Sequence, residues 1–254
     1  MSIEKTYPIA LEKDYFICMA NDIVKGKQDM TLQEARVIRL LITQIVKQDT
    51  DLKTYKLRIN DFAKFVGRDS SNFYRDIFKF CDNLLDRKVY IGTGNPKQPW
   101  KMFQWLQCAE YDGNGTLTFM LSEQIKPFVV GLEAYFTQYQ LRNILAMNSY
   151  YAIRLYELIK CEENKTRNEK IYHEFTITYL RSYFSCEEKY DRISQFKKKV
   201  VEAAIKEINE KSDLFINVVE YITTGRATTS IRFYAIANLK NTIKLTSGEA
   251  DESN

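Results

Sequence analysis

The stretch Tyr190-Asp191-Arg192-Ile193-Ser194-Gln195-Phe196-Lys197-Lys198-Lys199-Val200-Val201, which continues as EAAIKEINEKSDL to Leu214, decides how the chain reads. At about 100° per residue, Ile193, Phe196, Val200, Ala204 and Ile208 fall on one stripe of a helix, which is the side that seeks a core. The opposite side carries Asp191, Ser194, Gln195 and Lys198, with Arg192 and Lys199 at its flanks. A cationic first half on an amphipathic helix suits an anionic partner. Ser212 and Asp213 break the helix; Leu214 to Ile222 then reads as a strand, Thr223-Thr224-Gly225-Arg226 as a turn, and Ser230 to Ala237 as the returning strand. Helix followed by a two-stranded ribbon with a basic tip is the plan of a winged helix.

Upstream, Thr178 to Phe184 reads as a short helix that runs into the polar loop Ser185 to Lys189. Short helix, turn and basic helix make a helix-turn-helix, whose second helix enters the major groove with its N-terminal residues on base edges. The competing reading is a solvated amphipathic helix docked on a hairpin. The order of elements favours DNA.

With 254 residues and 45% hydrophobic content the chain has room for one large or two modest domains, each with its own core. The formal net charge is only +4, from 37 basic and 33 acidic residues, so a nucleic-acid surface has to be a local patch. Cys18, Cys81, Cys108, Cys161 and Cys186 are odd in number and form no CxxC, which speaks against a disulfide framework or a zinc site. No apolar run reaches membrane-spanning length, and the first residues show no signal-peptide core. The expected setting is a reducing cytoplasm, away from membranes.

In chain order, residues 1–13 are polar and expected to be poorly ordered, and Tyr15 to Met19 is an apolar strand or arm. Thr31 and Glu34 form a capping box for a helix over Leu32 to Lys47. Tyr55 to Ile59 reads as a strand, Asn60 to Val66 as a short helix closed by Gly67, and Ser71 to Asp86 as a second helix. A strand from Val89, a Gly92-Thr93-Gly94-Asn95-Pro96 turn, a return over Trp100 to Ala109, the turn Asp112-Gly113-Asn114-Gly115 and a strand from Leu117 to Leu121 complete a second helix, turn, helix and wing. Tyr74, Ile77 and Phe80 recur as Tyr190, Ile193 and Phe196 at the same spacing, so the halves look like copies. Between them a helix is expected over Phe136 to Leu145 and another, capped by Ser149, over Tyr150 to Cys161; Glu162 to Lys170 reads as an exposed loop. The expectation is an α+β chain of two tandem winged helices: residues 1–134, residues 135–240, and a disordered tail at 241–254.

The segments SYYAIRLYELIK (Ser149 to Lys160), FKKKVVEAAIKEINEKSDL (Phe196 to Leu214) and GRATTSIRFYAI (Gly225 to Ile236), with a looser match from Tyr135, resemble the initiator proteins of iteron-containing, theta-replicating plasmids. The resemblance spans roughly residues 14–240. It implies binding of double-stranded origin DNA at short direct repeats, local melting with a host initiator and a replicative helicase as partners, and a homodimer that represses its own promoter. Carried over residue by residue, it puts base readers at Arg192, Gln195 and Lys198, with Lys197 and Lys199 near phosphates and Lys189, Asp191 and Ser194 beside them. Gln195 is a departure from the acidic residue that the resemblance implies at this position; Gln favours adenine where an acid would favour cytosine. In the first half Arg68, Ser71, Asn72 and Arg75 begin the equivalent helix, and Arg226 at the wing tip suits a phosphate or minor-groove contact. The alternative function is a tandem winged-helix repressor with no replication role.

An enzyme is not expected. A nicking nuclease needs a histidine cluster and the chain has only His173; no G-x-x-x-x-G-K-[ST] loop is present either. No cofactor or metal is called for. The 17 tyrosines and 15 phenylalanines read chiefly as packing.

Overall fold

The computed structural model describes residues 6–65, 70–93, 95, 97–166 and 172–242. The chain divides into two compact units, Met1–Phe136 and Thr137–Asn254.

In the first unit, β1 (Thr6–Pro8), β2 (Phe16–Ala20), α1 (Asn21–Lys25) and β3 (Lys27–Gln28) lead into α2 (Leu32–Thr43). The Thr31–Glu34 capping box is present, with Thr31 Oγ1 accepting from the Glu34 amide and Glu34 accepting from the Thr31 amide. This helix stops at Gln44, earlier than the hydrophobic spacing through Ile45 predicts. Then follow β4 (Thr54–Arg58), α3 (Ile59–Phe65), α4 (Ser70–Leu85), β5 (Lys88–Ile91), β6 (Lys101–Gln104), β7 (Leu106–Tyr111), β8 (Thr116–Leu121) and a 3-10 turn (Glu123–Phe128). The return strand expected over Trp100 to Ala109 is two strands. Trp105 sits between them, fully buried, with its amide on the Arg87 carbonyl, and the chain changes sheets there. One sheet runs β1-β4-β8-β7 and the other β3-β5-β6. Buried Arg39 lies over the Trp105 ring at 5.5 Å and donates to Gln28 Oε1 at 2.9 Å, so a cation is satisfied inside the core.

The segment expected to open the second half with a helix is instead β9 (Phe136–Gln140) and a single helical turn, α5 (Arg142–Leu145). Its period-2 burial, with Thr137 and Tyr139 inward, explains the difference. α6 (Tyr150–Thr166) begins at Ser149, whose hydroxyl accepts from the Tyr151 amide, and runs past Cys161 into the stretch expected to be a loop. Residues 167–171, the 66–69 segment that includes Gly67, and the tail from 243 onward lie outside the described residues. After β10 (Tyr172–Thr176) come α7 (Ile177–Tyr183), α8 (Ile193–Phe196), a π-helical turn (Lys197–Glu202), α9 (Ala203–Lys211), β11 (Leu214–Thr224) and β12 (Ala227–Ala237), with sheet order β10-β12-β11.

Both units therefore repeat one arrangement: a strand running straight into a short helix, a second helix, and an antiparallel pair on the same sheet. The order β4-β8-β7 matches β10-β12-β11, so β7–β8 is the first wing and β5–β6 is an inserted hairpin.

α6 is the core of the second unit. Ala152 through Ile159 are all fully buried, including Arg154 and Glu157. Arg154 Nη1 donates to Glu157 Oε2 at 2.8 Å, the Tyr139 hydroxyl donates to Glu157 Oε1, and the Arg154 guanidinium lies 4.1 Å from the Tyr183 ring centroid. The Tyr183 hydroxyl donates to the Arg154 carbonyl at 2.9 Å, which ties α7 to α6. Removing one partner of a fully buried pair strands the other charge. Arg154→Met is expected to lower the stability of the chain by about 3–5 kcal/mol in urea unfolding; a loss under about 1 kcal/mol would show that the pair does not organise this unit.

Candidate nucleic-acid interface

The basic helix is continuous from Ile193 to Lys211 but not regular. Phe196, Val200, Ala204 and Ile208 are buried at successive steps of four, and Val201 is buried beside Val200. A strict α-helix would carry such a run away from the core by about 40° per step. The π turn over Lys197–Glu202 takes up that drift with a wider ring. Ile193, expected on the buried stripe, is half-buried.

Ahead of the π turn, Arg192 occupies the N-cap in extended backbone, and its carbonyl accepts from the amides of Gln195 and Phe196. Asp191, Arg192, Ser194, Gln195, Lys198 and Lys199 are all exposed, as is Lys189 in the preceding turn. Lys197 behaves differently. Its ammonium donates to Thr228 Oγ1 at 3.1 Å and sits 3.8 Å from the Tyr221 ring centroid, so it bridges the helix to the wing. Tyr221 has its hydroxyl pKa raised by burial and by nearby Glu202.

The turn that aims the helix is held by Arg181, which the sequence alone does not single out. Its guanidinium donates to the carbonyls of Lys189 at 2.8 Å and Tyr190 at 2.7 Å, and it lies 4.8 Å from the Phe196 ring centroid. Ser185 and Tyr190 take positive φ of 51° and 58°, a conformation that costs a non-glycine residue about 1–3 kcal/mol. The Arg181 bonds offset that cost at the carbonyl end of Tyr190. Nothing in the LRSYF string distinguishes this arginine from a surface one; its role comes from the fold.

At the other end Asn209 brackets Ile216, accepting from its amide and donating to its carbonyl, so helix and β11 are joined at a fixed angle. Asp213 accepts from Tyr156 at 2.8 Å and from Lys160 at 3.0 Å, which seats the same junction on α6. Along the sheet, Arg232 is engaged by Glu174 and Glu220. Arg226 stays exposed at the tip, beside Gly225 at φ 59° in the first central position of the two-residue turn. Cations from the start of the helix and the wing tip thus remain open to solvent within this one unit.

In the first unit Arg75 is exposed on α4, and its guanidinium lies 3.5 Å from Asp76. Ser71 and Asn72 fall in the first turns of α4, where the backbone alone is described, and Arg68 lies outside the described residues. The wing tip here is unlike the second. Asp112 accepts from the amides of Thr116 and Asn114, which holds its carboxyl below the usual range, and the turn Asp112-Gly113-Asn114-Gly115 contains no basic residue. His173 is buried in β10 opposite Phe233, and burial lowers its pKa. No group of metal-ligating side chains occurs among the described residues, and no helix there is long and apolar enough to cross a membrane.

Comparison with known proteins agrees with this geometry. A family model described as "Initiator Replication protein, WH1" matches residues 16–160, and "Initiator Rep protein, WH2" matches residues 176–235. The chain belongs to the initiator Rep protein family. A "Replication initiation protein" of Escherichia coli is 24% identical over 218 residues, covering 84% of this chain and 67% of that one. A solved structure titled "Crystal structure of Pi initiator protein in complex with iteron DNA" shares the fold at a TM-score of 0.69 and 20% identity, covering 89% of this initiator chain and 98% of the other.

If Arg181 fixes the turn, Arg181→Met should accelerate amide hydrogen exchange across Ile193–Phe196 while leaving Ala203–Lys211 nearly unchanged. Uniform acceleration over both segments would assign Arg181 to the general stability of the unit.

Proposed function

We propose that this initiator protein starts plasmid replication by binding direct repeats, iterons, in the double-stranded DNA of an origin and by helping to open that DNA for host replication proteins. The observation that carries the reading is a pair of unlike winged helices on one initiator-family chain, the second exposing Arg192, Gln195, Lys198 and Lys199 on one helix and Arg226 on its wing. The Pi initiator, whose fold the chain shares, was solved on iteron DNA, which supports the same ligand class here.

Two identical readers related by a two-fold axis match a palindrome, whereas two different readers on one chain match a directional site that can be repeated head to tail. In this mechanism Arg192, Gln195 and Lys198 read base edges, Gln195 preferring adenine. Ser194 and Asp191 line the same turn, Lys189 and Lys199 neutralise phosphates, Lys197 braces the wing, and Arg226 takes a phosphate or the minor groove. Arg68, Ser71, Asn72 and Arg75 provide an auxiliary contact. The work is binding and strand opening in the cytoplasm, with no bond-making catalysis; the host initiator and replicative helicase are the partners that follow.

A homodimer that represses the chain's own promoter uses the first unit. Of the apolar residues close together in the Trp100 to Ala109 region, Trp105 and Leu106 are fully buried and Phe103 stacks on Phe128, so the dimer contact is assigned to Trp100 and Met102, which are 53% and 51% exposed beside and on edge strand β6.

Replacing Lys199 with Ala is expected to weaken binding to every duplex and to reduce the salt slope by roughly one. Arg192→Ala or Lys198→Ala is expected to cost about 1–3 kcal/mol on the specific site and to relax its preference. Equal losses on specific and random DNA for all three variants would remove the base-reading assignment. In footprinting of the monomer, inserting about five base pairs between the two protected segments should abolish tight binding, because it turns them to opposite faces of the duplex; unchanged protection would remove the two-reader mechanism.

A further inference from the structure

The first unit's α4 has an exposed face that its sequence position does not explain. Phe78 is 81% exposed, Tyr74 one turn earlier is 41% exposed, and Arg75 and Lys79 are exposed beside them. A helix that needs Ile77, Phe80 and Leu84 for its core has no packing use for Phe78. The two winged helices supply a common register. Ile77, Phe80 and Leu84 face inward on α4 at the spacing that Ile193, Phe196 and Val200 follow on the basic helix. In that register Phe78 stands where the second unit has Ser194, Lys79 where it has Gln195, and Asp82 where it has Lys198. The position that carries a small polar group in one reader carries a bare aromatic ring in the other.

The surrounding charges point the same way. Arg75 and Lys79 are matched in number by Asp76 and Asp82, so the described part of α4 is close to neutral, and the wing tip beside it is acidic at Asp112. The hydroxyl of Tyr74 reaches that wing, 3.1 Å from where a Cβ on Gly115 would stand. Phosphate neutralisation is therefore a minor source of affinity for this helix, and an apolar contact is what its outward face offers. In the major groove the apolar feature is the C5-methyl group of thymine.

We propose that Phe78 is a specificity-determining residue of the first unit and selects thymine through its C5 methyl. The proposal rests on the DNA-binding reading above. Arg75 and Lys79, four residues apart on one flank of the ring, balance Asp76 and Asp82 beside the DNA backbone while the ring packs on the methyl edge of one or two T·A pairs. A protein partner would use the same ring without regard to thymine, and the test separates the two.

The probe is a duplex selected from a random pool by the full chain, with each thymine in the protected segment replaced in turn by deoxyuridine, which lacks only the methyl. The intact chain is expected to lose about three- to fivefold in affinity for each contacted methyl removed. Phe78→Ser is expected to bind the parent duplex more weakly, to lose all sensitivity to that replacement, and to keep the salt slope of the intact chain. If no uridine duplex differs from its parent with the intact chain, or if Phe78→Ser retains the same sensitivity, the assignment is overturned. The uridine series uses unaltered protein, so a folding defect in the variant does not decide the matter. Failure to select any sequence from the pool would instead remove the DNA-binding reading itself.

Discussion

The second unit depends on one interaction, the Arg154–Glu157 pair, both side chains of which are fully buried. Burying two charges is costly, and here aromatic residues from neighbouring elements supply contacts that offset part of the cost. Tyr139 reaches the carboxylate and Tyr183 covers the guanidinium while its hydroxyl takes the Arg154 carbonyl. The pair thus sets where α7, the first helix of the helix-turn-helix, lies on α6. From α7, Arg181 fixes the turn and the Phe196 ring, and with them the direction of the first turn of the basic helix. The base-edge contacts proposed for this helix would need placement far finer than a helix diameter, and this chain of contacts from core to turn to helix is suited to supply it.

Affinity and placement are divided between different cations. Arg154, Arg181, Lys197 and Arg232 are all engaged within the protein, by a carboxylate, by carbonyls, by a ring and hydroxyl, and by two carboxylates respectively. Arg192, Lys198, Lys199 and Arg226 face water. A net charge of only +4 is therefore no obstacle to binding a polyanion, since these four open cations stand at one helix start and one wing tip of the same unit. Among the described residues of α4 the cations Arg75 and Lys79 are matched by Asp76 and Asp82, and Phe78 is exposed where the second unit's helix carries Ser194. On the proposed reading the two copies of one arrangement serve as one electrostatic reader and one apolar reader, which would give a single chain a site with direction.

Much of this was legible in the sequence. The capping box at Thr31, the Ser149 cap, the stripe through Phe196 and Ile208, and the Gly225 turn are local signals, and the structure carries each of them. What stayed hidden depends on distant partners. Phe136–Gln140 alternates in burial, yet its neighbours supply enough apolar residues to imitate a helical period. The π turn is invisible to a fixed helical wheel, although the repeated steps of four residues from Phe196 to Ile208 contain it. Arg181 looks like any surface cation and Lys197 like a phosphate contact beside the buried stripe until the carbonyls and the ring they meet are brought beside them. Trp105 reads as one more aromatic in a strand, and only the change of sheet at that residue shows why it is buried.

The central claim is that the exposed first turns of the basic helix read base edges, and Gln195 tests it most directly because its substitution changes what is read at a single position. Selection of duplexes from a random pool by the intact chain and by Gln195→Glu, run side by side, is the measurement. The account predicts that one position of the selected site changes from adenine to cytosine while the rest of the site is retained. Identical selected sites for the two proteins, or a general loss of selectivity with no altered position, would contradict it.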